Sequence, residues 1–318
     1  MGLMLVVLLL CGMAVLASSL SGKERAMKYA FRLPAGVVVV VGAMLAAFLL
    51  FGCPARSAMT TQGDRFAGAQ AQPSWPPAPG KKVGDTVVNP RDGAVLVWVP
   101  AGEFTMGSDT GAEDEKPARK VTLSGYWIYR AEVTVAQYRK FCEATGALMP
   151  SKPEWGRQDT HPIVNVSWDD AVAYCQWAGV RLPSEAQWEK AARGTDGREY
   201  PWGNVWDARR CVCSVSPAKA ESTAPVGSVP AGASPYGCLD MAGNVWEWCA
   251  DWYADTYYET APARDPKGPA QGAWRVLRGG SWCDYYTDLF RARCRVRFNP
   301  DDWNFSRGFR CVSPEGSS

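Results

Sequence analysis

Histidine is nearly absent from this chain of 318 residues, since His161 is the only one. A single imidazole excludes most catalytic triads, most zinc sites and every iron site built from several histidines. An excess of charge of one sign is also lacking, because the formal net charge is only +2. The sequence contains no basic run and no base-stacking module, so nucleic acid is not expected as a partner.

The 11 cysteines lack the spacings of common metal and redox motifs. No pair has zinc-finger spacing, and a single residue separates Cys211 from Cys213, which is not the redox C-x-x-C arrangement. If the protein is exported, some thiols are expected to pair, because oxidising compartments permit disulfides. The odd count leaves at least one cysteine for another role.

Two apolar runs open the chain, at 3–16 and 37–51. The second is too short for a comfortable membrane span and is followed at once by Gly52 and Cys53. The residues Leu-Phe-Gly-Cys resemble a bacterial lipobox, in which the new terminal cysteine carries lipid and each buried methylene contributes about 0.8 kcal/mol. The alternative is a signal-anchor helix with an incidental cysteine. The polar, Pro-rich stretch directly after Cys53 favours the lipobox.

These features predict three parts of the chain. Residues 1–52 are the signal segment, with Met27 as an alternative start, since Met27 and Lys28 begin a complete signal peptide. Residues 53–85 are the lipidated cysteine and a flexible tether, and residues 86–313 are one folded domain. We therefore expect a monomeric lipoprotein at the outer surface of the cell or the periplasmic face, which touches the membrane only through its lipid.

The domain is predicted to be α+β and rich in loops, because 15 Trp, 31 Gly and 23 Pro favour turns held by aromatic anchors. Thr134, Ser167 and Ser184 are predicted to cap three helices, and Gly179 to end the second. Residues 113–115 indicate an acidic loop. The predicted strands lie at 95–99, 104–107, 121–123 and 126–129.

Eight segments together resemble the formylglycine-generating enzymes, also called sulfatase-modifying factors. They are FTMGS at 104–108, EVTVAQY at 132–138, PIVNVSW at 162–168, RLPSEAQWE at 181–189, YPWGN at 200–204, DMAGNVWEW at 240–248, RGGSW at 278–282 and GFR at 308–310. The resemblance spans nearly all of residues 93–312. It implies a C-type-lectin-like fold with little regular secondary structure.

The residues of the family's active site differ here. By resemblance, the enzymes hold copper with two cysteines a few residues after Gly-Gly-Ser, and Asp284 and Leu289 occupy those positions in this chain. A carboxylate and an aliphatic side chain cannot replace two thiolates for copper(I). Other branches of the superfamily use a three-histidine iron, which one histidine cannot supply. We therefore expect no copper, and a protein that is not an enzyme.

Residues 282–307 resemble the variable region of proteins that diversity-generating retroelements diversify. Asp, Tyr, Phe, Asn, Ser and Cys recur there, and each is reached from an Asn codon by changing only its adenines. Such a composition is typical of binding surfaces. The alternative is that the aromatic residues are simply core. The predicted ligand-binding residues are Cys283, Asp284, Tyr285, Tyr286, Asp288, Phe290, Phe298, Asp302, Trp303, Asn304, Phe305 and Ser306.

The resemblance also implies a structural calcium site. Its ligands are predicted to be the side chains of Asp240 and Glu247 and the carbonyl groups of Gly243 and Val245, since calcium prefers hard oxygen ligands. The alternative is a helix cap followed by a solvated acid.

Two functions follow from these observations. The first is a surface-displayed lipoprotein that binds an unknown protein or surface ligand through a diversified site. The second is a periplasmic enzyme of the same superfamily with an unrecognised chemistry near Cys283 or Cys294.

Overall fold

The structure is a computed structural model that describes residues 82–217 and 220–313. The signal segment, Cys53 and nearly all of the tether lie outside the described residues. The three predicted helices are confirmed as α1 (Val135–Thr145), α2 (Trp168–Ala178) and α3 (Glu185–Arg193). A fourth, short helix, α4, covers Tyr257–Thr260.

Local hydrogen bonds explain where these helices begin and end. Thr134, Ser167 and Ser184 each accept a hydrogen bond from the third helical residue, whose own side chain bonds back to the cap. These are the capping boxes that the sequence predicts. Gly146 and Gly179, in the left-handed region, end α1 and α2.

The described residues contain nine strands, which form three small sheets. The strands are β1 (Thr86–Val88), β2 (Val95–Val99), β3 (Gly102–Met106), β4 (Arg119–Leu123), β5 (Tyr126–Tyr129), β6 (Trp246–Trp252), β7 (Arg275–Arg278), β8 (Val296–Phe298) and β9 (Arg307–Gly308). The first sheet has the order β1-β2-β5, the second pairs β3 with β4, and the third has the order β8-β7-β6-β9. All pairs are antiparallel except β6 with β9.

The third sheet carries the predicted variable region. Residues 282–307 leave the end of β7, contribute β8 at one edge of the sheet and return to β9 at the other. Trp248 on β6 is fully buried beneath them, and its Nε1 donates to the carbonyl oxygen of Val166 at 3.1 Å. The predicted variable region is therefore connected to strands that pack against the core.

The predicted acidic loop is only partly correct. Residues Glu113–Glu115 form a 3-10 helix, and Glu115 is buried rather than solvated. Arg293 explains this burial, since its Nε donates to Glu115 Oε2 at 2.9 Å. None of the helices in the described part of the chain has the length and hydropathy to span a bilayer.

Candidate functional site

The predicted ligand-binding segment contains a group of exposed aromatic side chains. Tyr285, Tyr286 and Trp303 are 47%, 55% and 58% exposed. The two tyrosine rings lie against each other, with centroids 4.2 Å apart. Single exposed apolar residues are ordinary on protein surfaces, but three large aromatic rings in one segment are typical of a contact surface.

Aromatic packing joins the two loops that carry these residues. The ring of Trp282 lies 5.7 Å from that of Phe305, and both rest on Trp155 at 5.1 and 6.0 Å. Trp282 precedes the tyrosine pair in sequence, and Phe305 follows Trp303 closely. We call Tyr285, Tyr286 and Trp303, together with these three partly buried rings, the aromatic face.

Phe290 does not belong to this face, which corrects its prediction as a ligand-binding residue. Its side chain is fully buried and stacks on Trp206, with ring centroids 5.1 Å apart. Gly280 makes room for it, because a Cβ at Gly280 would approach the Phe290 ring to 2.7 Å. The alternative interpretation, that the aromatic residues of this region are core, is correct for Phe290.

Asn304 and Ser306 shape the loop rather than point outward. The Asn304 Oδ1 atom accepts hydrogen bonds from the Ser306 backbone at 2.7 Å and from its hydroxyl at 2.8 Å. Ser306 is buried, which corrects its assignment as a ligand contact. Phe298 is half-buried under the Arg307 guanidinium, 3.5 Å from its ring centroid. Asp288 and Asp302 are exposed, as binding residues must be.

Asp284 anchors the tyrosine loop from inside. Its Oδ2 atom accepts from the Ser281 backbone at 2.8 Å and from the Ser281 hydroxyl at 2.7 Å. Burial raises the pKa of Asp284, and these hydrogen bonds oppose that shift. Cys283 is half-buried, with its Sγ 3.4 Å from the Ser281 hydroxyl oxygen. Asp284 therefore fixes the start of the loop, so it positions Tyr285 and Tyr286.

Glu247, one of the four residues predicted to bind calcium, is engaged by other side chains. Both carboxylate oxygens of Glu247 are held by Arg310, at 2.6 Å each, and Trp188 Nε1 donates to one of them at 2.7 Å. A guanidinium at this position competes with a divalent cation for the same oxygens. Glu247 is fully buried, so the alternative interpretation as a solvated acid is wrong for this residue.

Asp240 has a different environment from the one predicted. It adopts a left-handed backbone with φ 55°, and its Oδ2 accepts from the Gly227 backbone at 2.5 Å. Glu132 lies close by, and burial together with the Asp240 charge raises the pKa of Glu132. Within the described ranges, no group of three or more His, Cys, Asp or Glu side chains is arranged to hold a metal ion.

Sequence reasoning missed a buried network of arginines and glutamates that joins β7 and the segment after Phe290 to α3. Arg278 at the end of β7 is fully buried and pairs with Glu189 and Glu185 of α3. Arg295 binds both carboxylate oxygens of Glu185 at 2.8 Å each. The sequence signal for this network is that arginine alternates with other residues at 291–297. This spacing has a period of two residues, but it does not indicate the partners, since Glu185 lies 110 positions from Arg295.

The buried network ties the segment after the exposed loop to α3. Arginine suits this role because its planar fork matches a carboxylate in two parallel hydrogen bonds. Each charge in such a network is compensated, and losing one partner leaves the other buried and unpaired. Tyr285, Tyr286 and Trp303 are exposed and take no part in the ion pairs of this network.

Comparison with known proteins identifies relatives of this chain in sequence and in structure. Residues 83–314 match the Sulfatase-modifying factor enzyme 1-like domain. The formylglycine-generating enzyme of Streptomyces coelicolor is 37% identical over 70% of this chain and 90% of its own length. Among solved structures, PvdO from Pseudomonas aeruginosa superposes with a TM-score of 0.66 and 27% identity, covering 73% of this chain and 99% of PvdO. Treponema denticola variable protein 1 superposes with a TM-score of 0.62 and 25% identity, covering 72% and 98%.

These findings correct one expectation. The substitutions at Asp284 and Leu289 led us to predict that the chain is not an enzyme, and the relatives contradict that prediction. Proteins named as formylglycine-generating enzymes share 32–37% identity with this chain over about 70% of its length.

The expected fold is confirmed, since the described residues form a loop-rich mixture of short helices and strands, and the structural neighbours share it. The eight motifs that suggested the family all lie within the matched range. The chain therefore belongs to the sulfatase-modifying factor family, and its folded part has the C-type-lectin-like fold of the formylglycine-generating enzymes.

Proposed function

We propose that this chain is a surface-displayed lipoprotein that binds a protein or glycan ligand through the aromatic face. The observation that carries the proposal is the contrast within residues 282–307. Tyr285, Tyr286 and Trp303 are about half exposed, whereas Arg293 and Arg295 of the same segment form buried ion pairs. Large rigid aromatic side chains provide contact area at a low cost in conformational entropy.

The likeness to Treponema denticola variable protein 1 supports the proposal. That protein has the same fold as this chain, and its name denotes variation. A variable surface requires a scaffold whose stability does not depend on the varied residues. Asp284, Asn304 and the buried arginines supply such a scaffold here, since each is engaged in hydrogen bonds or ion pairs inside the protein.

Binding is tested with a variant that removes the face. The triple variant Tyr285→Ser, Tyr286→Ser, Trp303→Ser should lose about 100-fold in affinity for any ligand that wild type binds, since exposed aromatic anchors dominate such contacts. The probe is an array of purified extracellular proteins and glycans, read by surface plasmon resonance. The matched control replaces two exposed apolar residues elsewhere, Leu148→Ser and Val205→Ser, which are 85% and 79% exposed.

A ligand that binds wild type and the triple variant equally would contradict the proposal. Diversification is tested separately, by sequencing the coding DNA of closely related isolates. The codons for Tyr285, Tyr286 and Trp303 should differ among isolates, while those for Phe290 and Arg310 stay constant. An adjacent near-copy of the region that differs only at adenines, beside a reverse transcriptase gene, is the expected genomic context.

A second candidate function is catalysis, which the names of the relatives favour. Among the described residues, Cys283 is the only cysteine that is not buried, and it precedes Asp284 directly. The test incubates the protein with a sulfatase-motif peptide and oxygen, with and without a copper salt. An aldehyde at the peptide cysteine that is lost in a Cys283→Ser variant would support catalysis, and recovery of unchanged peptide would remove this candidate.

A further inference from the structure

Cys211 and Cys213 form a thiol pair beside the aromatic face. Their sulfur atoms lie 3.6 Å apart, and the two residues are 4% and 0% exposed. Cys211 has an extended backbone, with φ −148° and ψ 163°, and in extended chain the residues i and i+2 point to the same side. The one-residue spacing that argued against a redox motif in the sequence therefore brings the two sulfurs together in the structure.

The two thiols are not equivalent. The Cys211 thiol donates a hydrogen bond to the Cys213 sulfur, and this bond lowers the pKa of Cys213. Burial opposes the shift, and the backbone amides of Val215 and Ser216 add to it. The same hydrogen bond raises the pKa of Cys211. Cys213 is therefore the stronger nucleophile of the pair, because the thiolate is the reactive form.

The pair is joined to the loop that carries the tyrosines. Both the backbone amide and the hydroxyl of Ser214 donate to the Asp284 carbonyl oxygen, at 3.2 and 2.8 Å. On the other side, the Asn244 backbone amide donates to the Val212 carbonyl oxygen at 2.9 Å. A covalent change at Cys211 and Cys213 would thus act on a segment that braces the start of the tyrosine loop.

We propose that Cys211 and Cys213 are a redox pair that a small peroxide converts into an intraloop disulfide. The Cys213 thiolate attacks one peroxide oxygen, the O–O bond breaks, and a sulfenic acid forms while the other oxygen leaves as hydroxide. That hydroxide takes the Cys211 proton and becomes water. The Cys211 sulfur then attacks the Cys213 sulfur, forms the S–S bond and expels the second hydroxide, which is protonated by solvent.

The net reaction consumes two thiols and one hydrogen peroxide and yields one disulfide and two waters. Closing the bond brings the sulfurs from 3.6 Å to about 2.05 Å. The burial of both residues limits the oxidant to a molecule near the size of water, which selects a peroxide over a bulky disulfide. This site does not depend on the identity of any ligand.

Peptide mass tests the proposal on the full chain. Trypsin releases residues 211–219 as one peptide that contains Cys211, Cys213 and no other cysteine. After treatment with hydrogen peroxide, denaturation and alkylation, this peptide should carry no alkyl group and be lighter by two hydrogen atoms. The untreated protein should give the doubly alkylated peptide. A doubly alkylated or sulfinic-acid peptide after treatment would overturn the proposal.

Single variants test the order of the steps. With peroxide and dimedone, Cys211→Ser should trap the sulfenic acid on Cys213, and Cys213→Ser should label Cys211 at least about tenfold less. The reverse preference would overturn the assigned nucleophile. Cys142→Ser, a buried thiol on α1, is the matched control and should form the intraloop disulfide as wild type does. Thermal melts confirm folding, and the wild-type peptide mass decides alone if a variant unfolds.

Discussion

Replacing Arg278 with methionine is expected to lower the free energy of unfolding by about 3–5 kcal/mol. Arg278 is fully buried, and it pairs with two carboxylates, those of Glu185 and Glu189, which are also buried. The apolar replacement leaves Glu189 with only Arg193 as a cation at 2.8 Å. The loss is large because the buried Glu185 and Glu189 keep their desolvation cost, while each loses one of the two cations that compensate it.

Urea denaturation followed by tryptophan fluorescence measures this effect. The matched control is Arg139→Met, which removes an arginine that pairs at the surface with Asp159. A surface pair contributes about 0–1 kcal/mol, so the control should stay close to wild type. Arg278→Lys keeps the charge without the fork and should fall between the two. An Arg278→Met variant within about 1 kcal/mol of wild type would contradict the structural role of the network.

Phe290→Ala is expected to cost about 3–5 kcal/mol, whereas Tyr285→Ala and Trp303→Ala should each stay within about 0.5 kcal/mol of wild type. All three residues belong to the same predicted variable region. Phe290 is fully buried on Trp206, so its removal leaves a cavity, while the other two are about half exposed. Sequence composition alone predicts equal, small effects for the three.

Thermal melts and urea titrations of the three alanine variants distinguish these outcomes. Phe290→Leu serves as the control, because it keeps most of the buried volume and should lose much less than Phe290→Ala. Equal small losses for Phe290→Ala and Tyr285→Ala would mean that Phe290 is not core. A large loss for Trp303→Ala would mean instead that the aromatic face stabilises the fold, which would weaken its proposed role in binding.

Residues 282–307 contain two kinds of side chain, those that pack inside the protein and those that are exposed to solvent. Arg293 and Arg295 reach inward to Glu115 and Glu185, and Phe290 packs on the core. Tyr285 and Trp303 reach outward. A segment with this alternation can vary at its outward positions while its inward positions preserve the fold, which is the property that a diversified binding surface requires.

The sequence by itself determined the helices and the family. Helix starts at Thr134, Ser167 and Ser184 depend on hydrogen bonds that span three residues, so they can be read locally. Strands β2 to β5 were predicted from short apolar runs bounded by Gly and Pro, whereas β1 and β6 to β9 were not predicted. The motif order sufficed for the family, because each motif occupies its own fixed place in one fold.

Only the tertiary structure decided which of the candidate residues face solvent and which partners they have. Phe290 and Tyr285 look alike in sequence, yet one is core and the other is exposed, because burial depends on contacts such as Trp206 that lie far along the chain. Glu247 likewise has a partner that the sequence does not indicate, because Arg310, which binds its carboxylate, lies 63 positions away. Side-chain burial and ion pairing depend on residues that are distant in the sequence. The local sequence pattern therefore does not identify the partner.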